Sequence, residues 1–336
     1  MEQNKRLTSA ELSQLWTSYM NDSMAICVIS YFLTYVEDEE VHSVLHDALA
    51  LSEKHLEEIT DIFNTVNQPI PQGFTDSDVD LKAPRLFSDT FSLIYLQNMA
   101  RLGLMAYSLA FPLMTRKDVI NYYDKCLASS AKLITKLTDI MLRRGIYSRS
   151  PYIPTTEQVE FIENQGYMHG YFAKRRPVNS VEITAIFVCL MSNIFGKVLL
   201  TGYAQVAKSK KVREYMSRGV KIATKQTEVL ESILKEGSLS SPSTWDSEVT
   251  TSTVAPFSDK LMMYHTRALS VASIANYGAA TSTAMRHDLI PHFFRLTTEM
   301  GKFGDDGAEL MIEHNWFEEP PSAPDRKRIV RERKKE

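Results

Sequence analysis

The sequence predicts an all-α chain made of two tandem four-helix bundles that arose by internal duplication. Three observations carry that expectation. First, residues 74–154 recur as 244–324 at a constant offset of 170. Asp76-Ser77 and Val79 match Asp246-Ser247 and Val249, Phe87-Ser88-Asp89 matches Phe257-Ser258-Asp259, and Met141 matches Met311. Upstream the offset becomes 171, pairing Glu11 with Glu182, Val41 with Val212 and Ile62 with Ile233, so one deleted residue near Pro71 and Pro242 joins the registers. Second, apolar residues recur at helical spacing, and no stretch alternates with period two. Third, only 13 of 336 residues are glycine, against the usual share of about 7%, which disfavours turn-rich β folds. The divisions are 7–154 for the first bundle, 155–177 for a linker with a short helix, 178–324 for the second bundle and 325–336 for a basic tail.

The first helix of each copy opens on a capping box, Thr8-x-x-Glu11 and Asn179-x-x-Glu182, in which the cap accepts an orphan N–H and the Glu reaches back. Leu12, Leu15, Trp16, Tyr19, Ile26, Ile29 and Leu33 form its stripe. The second helix follows at once with Val41, Val44, Leu45, Ala48, Ile59 and Phe63, a connection short enough to force an antiparallel hairpin. A loop of about 20 residues carrying Pro69, Pro71 and Gly73 crosses the bundle end. The third helix covers Leu86 to Leu109, and the fourth runs from Thr115, opening Thr115-x-x-Asp118, to Arg144 before the stop at Gly145. Proline-bearing straps, Tyr147–Pro154 and Phe317–Pro324, close the copies with an aromatic tucked in, and Thr155-x-x-Gln158 caps the linker helix.

The net charge of −3 divides into an acidic body of −8 and a tail, Arg326–Glu336, of +5. An acidic body excludes a general nucleic-acid binder, while the tail is a contact for an anionic partner or a solvated end. Cys27, Cys126 and Cys189 are odd in number and far apart, which argues against zinc and disulfides and for a reducing cytoplasm. The polar start carries no apolar stretch of a secretory signal. The greasiest window, Ile183–Val206, holds Asn193 and Lys197 near its middle, so it reads as a buried bundle helix and not a membrane span.

No nucleophile, P-loop, dinucleotide or zinc-protease motif is present, so no catalytic residue is assigned. A di-metal carboxylate centre needs Glu-x-x-His on two helices; the chain has one, Glu39-x-x-His42. Glu39, His42 and His46, with His55 nearby, form the one candidate site for a divalent metal, weighed against a solvated helix face. Asp89, Asp118, Asp259 and Asp288 start helices and, with Arg116 and Arg286, read as a capping network at the bundle ends. Asn193, His265 and Arg267, inside apolar helices, are either a polar pocket or satisfied core groups. The tips reading Glu37-Asp38-Glu39-Glu40 and Lys208-Ser209-Lys210-Lys211 carry opposite charge, which suggests docking between units or chains.

Phe257-Ser258-Asp259-Lys260-Leu261-Met262-Met263, Arg286-x-Asp288, Trp316-Phe317-Glu318-Glu319-Pro320-Pro321 with Asp325-Arg326, Gln205-Val206-Ala207-Lys208-Ser209 and Arg175-Arg176-Pro177 resemble the bacterial family called domain of unknown function 3231, in its tandem form. The resemblance spans essentially the whole chain. It implies a ferritin-like fold similar to F-type spore coat proteins, and it brings no catalytic residues. The expected function is therefore non-enzymatic: a structural or protein-interaction role, spore coat or stress associated, in the cytoplasm or the spore, with a protein partner or self-association and no cofactor. The alternative is a ferritin-like protein that binds a metal or small ligand between helices.

Overall fold

The computed structural model describes residues 6–171 and 175–333. Linker residues 172–174, the first five residues and the last three of the basic tail lie outside them. Helices α1 (Ser9–Tyr35), α2 (Glu39–Thr65), α3 (Asp89–Ala110) and α4 (Lys117–Arg143) make the first unit. Their counterparts α5 (Ser180–Val206), α6 (Lys210–Glu236), α7 (Asp259–Thr283) and α8 (Leu289–Glu313) make the second. The chain is all-α, in two tandem units. The hairpins α1–α2, α3–α4, α5–α6 and α7–α8 supply most of the helix packing, as short connections require.

The duplication is visible in how the helices start and stop. Both capping boxes form, at Thr8/Glu11 and Asn179/Glu182. Left-handed backbone ends α2 at Asn67 and α6 at its counterpart Ser238, then follows α4 at Gly145 and α8 at its counterpart Asn315. In the linker, the turn is 3-10, Gln165–Met168, capped by Asn164 and not by Thr155. The basic tail contains a helix, α9 (Arg326–Arg333), which the sequence did not suggest. Of the straps, Trp316 and Phe317 pack on the core, as does Tyr147, but Tyr152 points into solvent.

The units pack around a local two-fold axis. Val79 bridges Phe257 while its counterpart Val249 bridges Phe87. The Ser88 N–H donates to Glu248 O and the Ser258 N–H to Asp78 O; Asp80 N–H donates to Pro256 O and Thr250 N–H to Leu86 O. Each bond thus has its symmetric twin, the signature of an isologous interface. The crossing loops exchange these bonds between units, so one apolar core runs through both. Gly202 stands where the first unit has Tyr31, and the Phe87 ring occupies the space: a Cβ there would lie 2.5 Å from Phe87 Cζ. The apolar helix α5 is long enough to cross a membrane by length and composition, and 56% of its most apolar window is buried, against α6 and α7.

The end networks differ from expectation in detail. Ser88 and Ser258, not the aspartates, cap α3 and α7. Asp89 accepts the N–H groups of Glu37 and Asp38, and Asp259 those of Lys208 and Ser209, so each pins the start of the helix across the bundle end. Thr115 does not cap α4 either; its N–H and hydroxyl donate to Glu11. Arg116 and Arg286 chelate Asp118 and Asp288. The opposite charges at the helix tips are used within each unit: Glu40 pairs with Arg143, and the counterpart pair, with polarity reversed, is Lys211 with Glu313.

Candidate functional site: a cleft in the first unit

Each unit buries a carboxylate at one end. Glu11 and Glu182 lie on α1 and α5 and are 0% and 1% exposed. Glu11 accepts N–H bonds from Thr8, Thr115 and Arg116 and the Thr115 hydroxyl. Burial alone would raise its pKa, but these donors outweigh it and bring the pKa down to about 2. Glu182 accepts from the Asn179, Met285 and Arg286 N–H groups and pairs with Arg176. Burial opposes its ionisation too, and the same kind of donors hold its pKa below the ordinary value. Every oxygen is engaged, so these carboxylates are fasteners for the helix ends.

Mid-bundle, the units diverge. In the second, Asn193 on α5 donates to the Tyr277 hydroxyl on α7 (2.7 Å), which donates to Gln226 on α6 (2.6 Å), which in turn donates to Glu299 on α8. This chain ties all four helices, and α5 lies close on α7. The first unit has Asp22, Tyr107 and His55 at the counterpart positions. Asp22 Oδ1 lies 3.5 Å from His55 Nδ1, joining α1 to α2. The Tyr107 ring stands edge-on to His55, 6.0 Å away, and makes no hydrogen bond to either partner among the described residues. Among the described residues no hydrogen bond ties α1 to α3 at this level, and these helices touch far less than α5 and α7 do.

The consequence is a cleft of about 570 Å³. It divides the first unit's core: Leu15, Ile59, Phe63, Met114, Tyr122, Tyr123 and Cys126 form a cluster separate from the main one. Its walls are mostly apolar, from Trp16, Ile29, Leu51, Leu96, Met99 and Leu133, and Met105, Leu109 and Val271 stand exposed at its rim. The second unit closes one side with Tyr264, His265, Arg267 and Ala272 of α7 and with strap residues Trp316 and Phe317. Glu318 anchors that strap on the N–H groups of Gln72 and Gly73, and Arg267 lies over the Phe317 ring. The site is therefore built by both units.

Some of its polar groups are satisfied, as where the Tyr264 hydroxyl donates to Asn21 Oδ1, and others are not. Asp22 Oδ2, His55 Nδ1, Tyr95 Oη and His265 Nε2 are buried without a hydrogen-bond partner. Burial works against a charged His55, but Asp22 and then Cys126 overcome it, and its pKa rises to about 10. His265 faces no such carboxylate, and burial pushes it down to about 3. Its Nδ1 lies 2.8 Å from the Tyr203 hydroxyl. Two imidazoles shifted in opposite directions thus share one cavity.

The residues singled out in the sequence fall elsewhere or apart. Glu39, His42 and His46 are all exposed on α2, and no group of three His, Cys, Asp or Glu able to hold a metal occurs among the described residues. His265 and Arg267 do line a pocket, but the first unit's; Asn193 is a satisfied core group of the second. Sequence reasoning missed Asp22 and gave His55 only a minor place. Laying the copies over each other exposes them, because Asp22/Asn193, His55/Gln226 and Tyr107/Tyr277 are polar at matched positions of apolar stripes. A second, charged depression lies between α6 and α8, crossed by the Lys211–Glu313 and Arg218–Asp306 ion pairs.

Fold and site define a tandem helical-bundle protein with a cleft in its first unit and a hydrogen-bonded chain across the second. The chain belongs to the family described as protein of unknown function (DUF3231), whose model matches residues 1–159 and again 167–329. A solved structure of a provisionally assigned spore coat protein from Bacillus halodurans is similar at 15% identity, over 48% of this chain and 100% of its own, with a TM-score of 0.38. No curated protein matches the chain.

Proposed function

We propose that this is a non-enzymatic binding protein whose first unit holds a small apolar ligand in the cleft between α1, α3 and α7. The observation that carries the reading is the divergence of the two mid-bundle sites: the same three positions close the second unit and leave the first open. A volume of about 570 Å³ falls within the roughly 300–1,000 Å³ of small-molecule sites, which are likewise apolar with a few convergent polar groups. Leaving such a cavity empty costs dispersion contacts and strands buried polar atoms. The structural, spore-associated role has its support in the family resemblance, whereas the cleft belongs to this chain. A cytoplasmic setting fits three buried free thiols, of which burial pushes Cys27 and Cys189 up to about 12. The basic helix α9 remains the proposed contact for an anionic partner.

The test is displacement of an environment-sensitive dye from the purified full chain by aliphatic ligands, compared with an Ala272→Trp variant that fills the cleft. Saturable one-site binding lost in the variant, with helical circular dichroism unchanged, supports the reading. Binding that survives the substitution refutes it.

A further inference from the structure

Three features compete for explanation beyond the cleft itself: the basic face of α9, the charged depression between α6 and α8, and the unpartnered polar atoms inside the cleft. The first is a short terminal charge run and the second is crossed by its own ion pairs. The third is not accounted for by anything in the fold.

Asp22 is 6% exposed. One of its oxygens faces His55, and the other has no donor. A buried carboxylate oxygen without a donor is costly, and native structures seldom leave one so. His55 already balances the charge of Asp22, and Arg267 brings a further cation to the cleft, so a cationic ligand gains no net counter-charge. A carboxylate ligand would set its own oxygens against Asp22. What the free oxygen lacks is a neutral donor. His265 Nδ1 lies 2.8 Å from the Tyr203 hydroxyl, and its Nε2 has no partner, so that nitrogen offers a ligand a donor or an acceptor according to the tautomer. A hydroxyl is the smallest group that both donates and accepts. The remaining lining, Ile29, Leu96, Met99 and Leu133, asks for hydrocarbon.

Resting on the binding reading above, we infer that the ligand is an uncharged amphiphile, a hydrocarbon body ending in an alcohol whose O–H donates to Asp22 Oδ2.

The experiment compares 1-dodecanol, dodecanoate and dodecylamine as competitors for the dye on the full chain, with wild type and Asp22→Asn. In wild type the alcohol is expected to compete about tenfold or more better than either charged analogue. In Asp22→Asn, dodecanoate should gain on the alcohol, because the amide no longer repels it. Dodecanoate or dodecylamine competing as well as the alcohol in wild type overturns the alcohol assignment and leaves the binding reading standing. Failure of all three overturns the alcohol assignment, and it overturns the binding reading as well where the dye is also unaffected by Ala272→Trp. The wild-type ranking alone decides the matter should the variant fail to fold.

Discussion

Replacing His55 by Gln should destabilise the protein more than replacing both His55 and Asp22. The reasoning is electrostatic. His55→Gln leaves Asp22 as a buried charge without its counter-ion, and breaking one side of such a pair costs about 3–5 kcal/mol. The pKa of His55, about 10 against an ordinary 6.5, caps the pair at about 5 kcal/mol at 1.36 kcal/mol per tenfold. The 3.5 Å separation and absence of a linear hydrogen bond place it nearer about 3 kcal/mol. Adding Asp22→Asn removes the stranded charge and installs the amide pair that the second unit already uses, so about 2 kcal/mol should return. The assay is urea unfolding at pH 7, read by circular dichroism for wild type, both single variants and the double variant. Strict additivity, with the double variant least stable, would refute the buried-pair argument. The pH dependence gives a second reading of the same group. A raised pKa means the folded state holds the proton, so this stability is full below about pH 6.5 and drains away as pH climbs through about 10. That alkaline loss should be missing from the double variant.

Other outcomes follow from features described above. Glu11→Ala strands four donors at one bundle end and should cost about 3 kcal/mol in the same urea assay; because the Glu11 pKa is lowered to about 2, its contribution in wild type is present above about pH 4.5 and lost as pH falls towards 2. Gly202→Val drives a side chain into the Phe87 ring and should loosen the joint between units, seen as faster proteolysis at the crossing loops. Reversing Glu40 and Arg143 together, to Lys and Glu, restores that one pair with the second unit's polarity but sets the new Lys beside Arg144, which also holds Glu40; adding Arg144→His, the residue that the second unit has there, should bring the unfolding midpoint closer to wild type than the double reversal does, with small differences that salt reduces. Changing Glu39, His42 and His46 to Ala should leave the metal content of untagged protein, measured by mass spectrometry, unaltered.

The helices were legible because local signals and the repeat agreed: Thr8/Glu11 and Asn179/Glu182 cap as spaced, and the apolar stripes of the two copies lie in register. Details at the helix ends were less so. Asp89 and Asp118 looked like caps, since a carboxylate at a helix start satisfies that rule, but the serine one residue earlier took the role at α3, and Arg116 claimed Asp118. The tip charges read from sequence as docking surfaces because the partners Arg143 and Glu313 lie some hundred residues away along the chain. The cleft was hidden for another reason. A void has no letters; it arises from a hydrogen bond that Tyr277 makes and Tyr107 does not. Only comparison of one copy with the other brings out Asp22 and His55.

The covalent joining of the two halves has a consequence for how they change. In an assembly of identical subunits, every substitution lands on both sides of the axis at once, so a hole opened in one is opened in the other. Here a substitution lands once. Asp22 and His55 could keep a cleft on one side while Asn193 and Gln226 joined a hydrogen-bonded chain on the other, which lends a wall to its neighbour. A guest held in that cleft would be held once per chain.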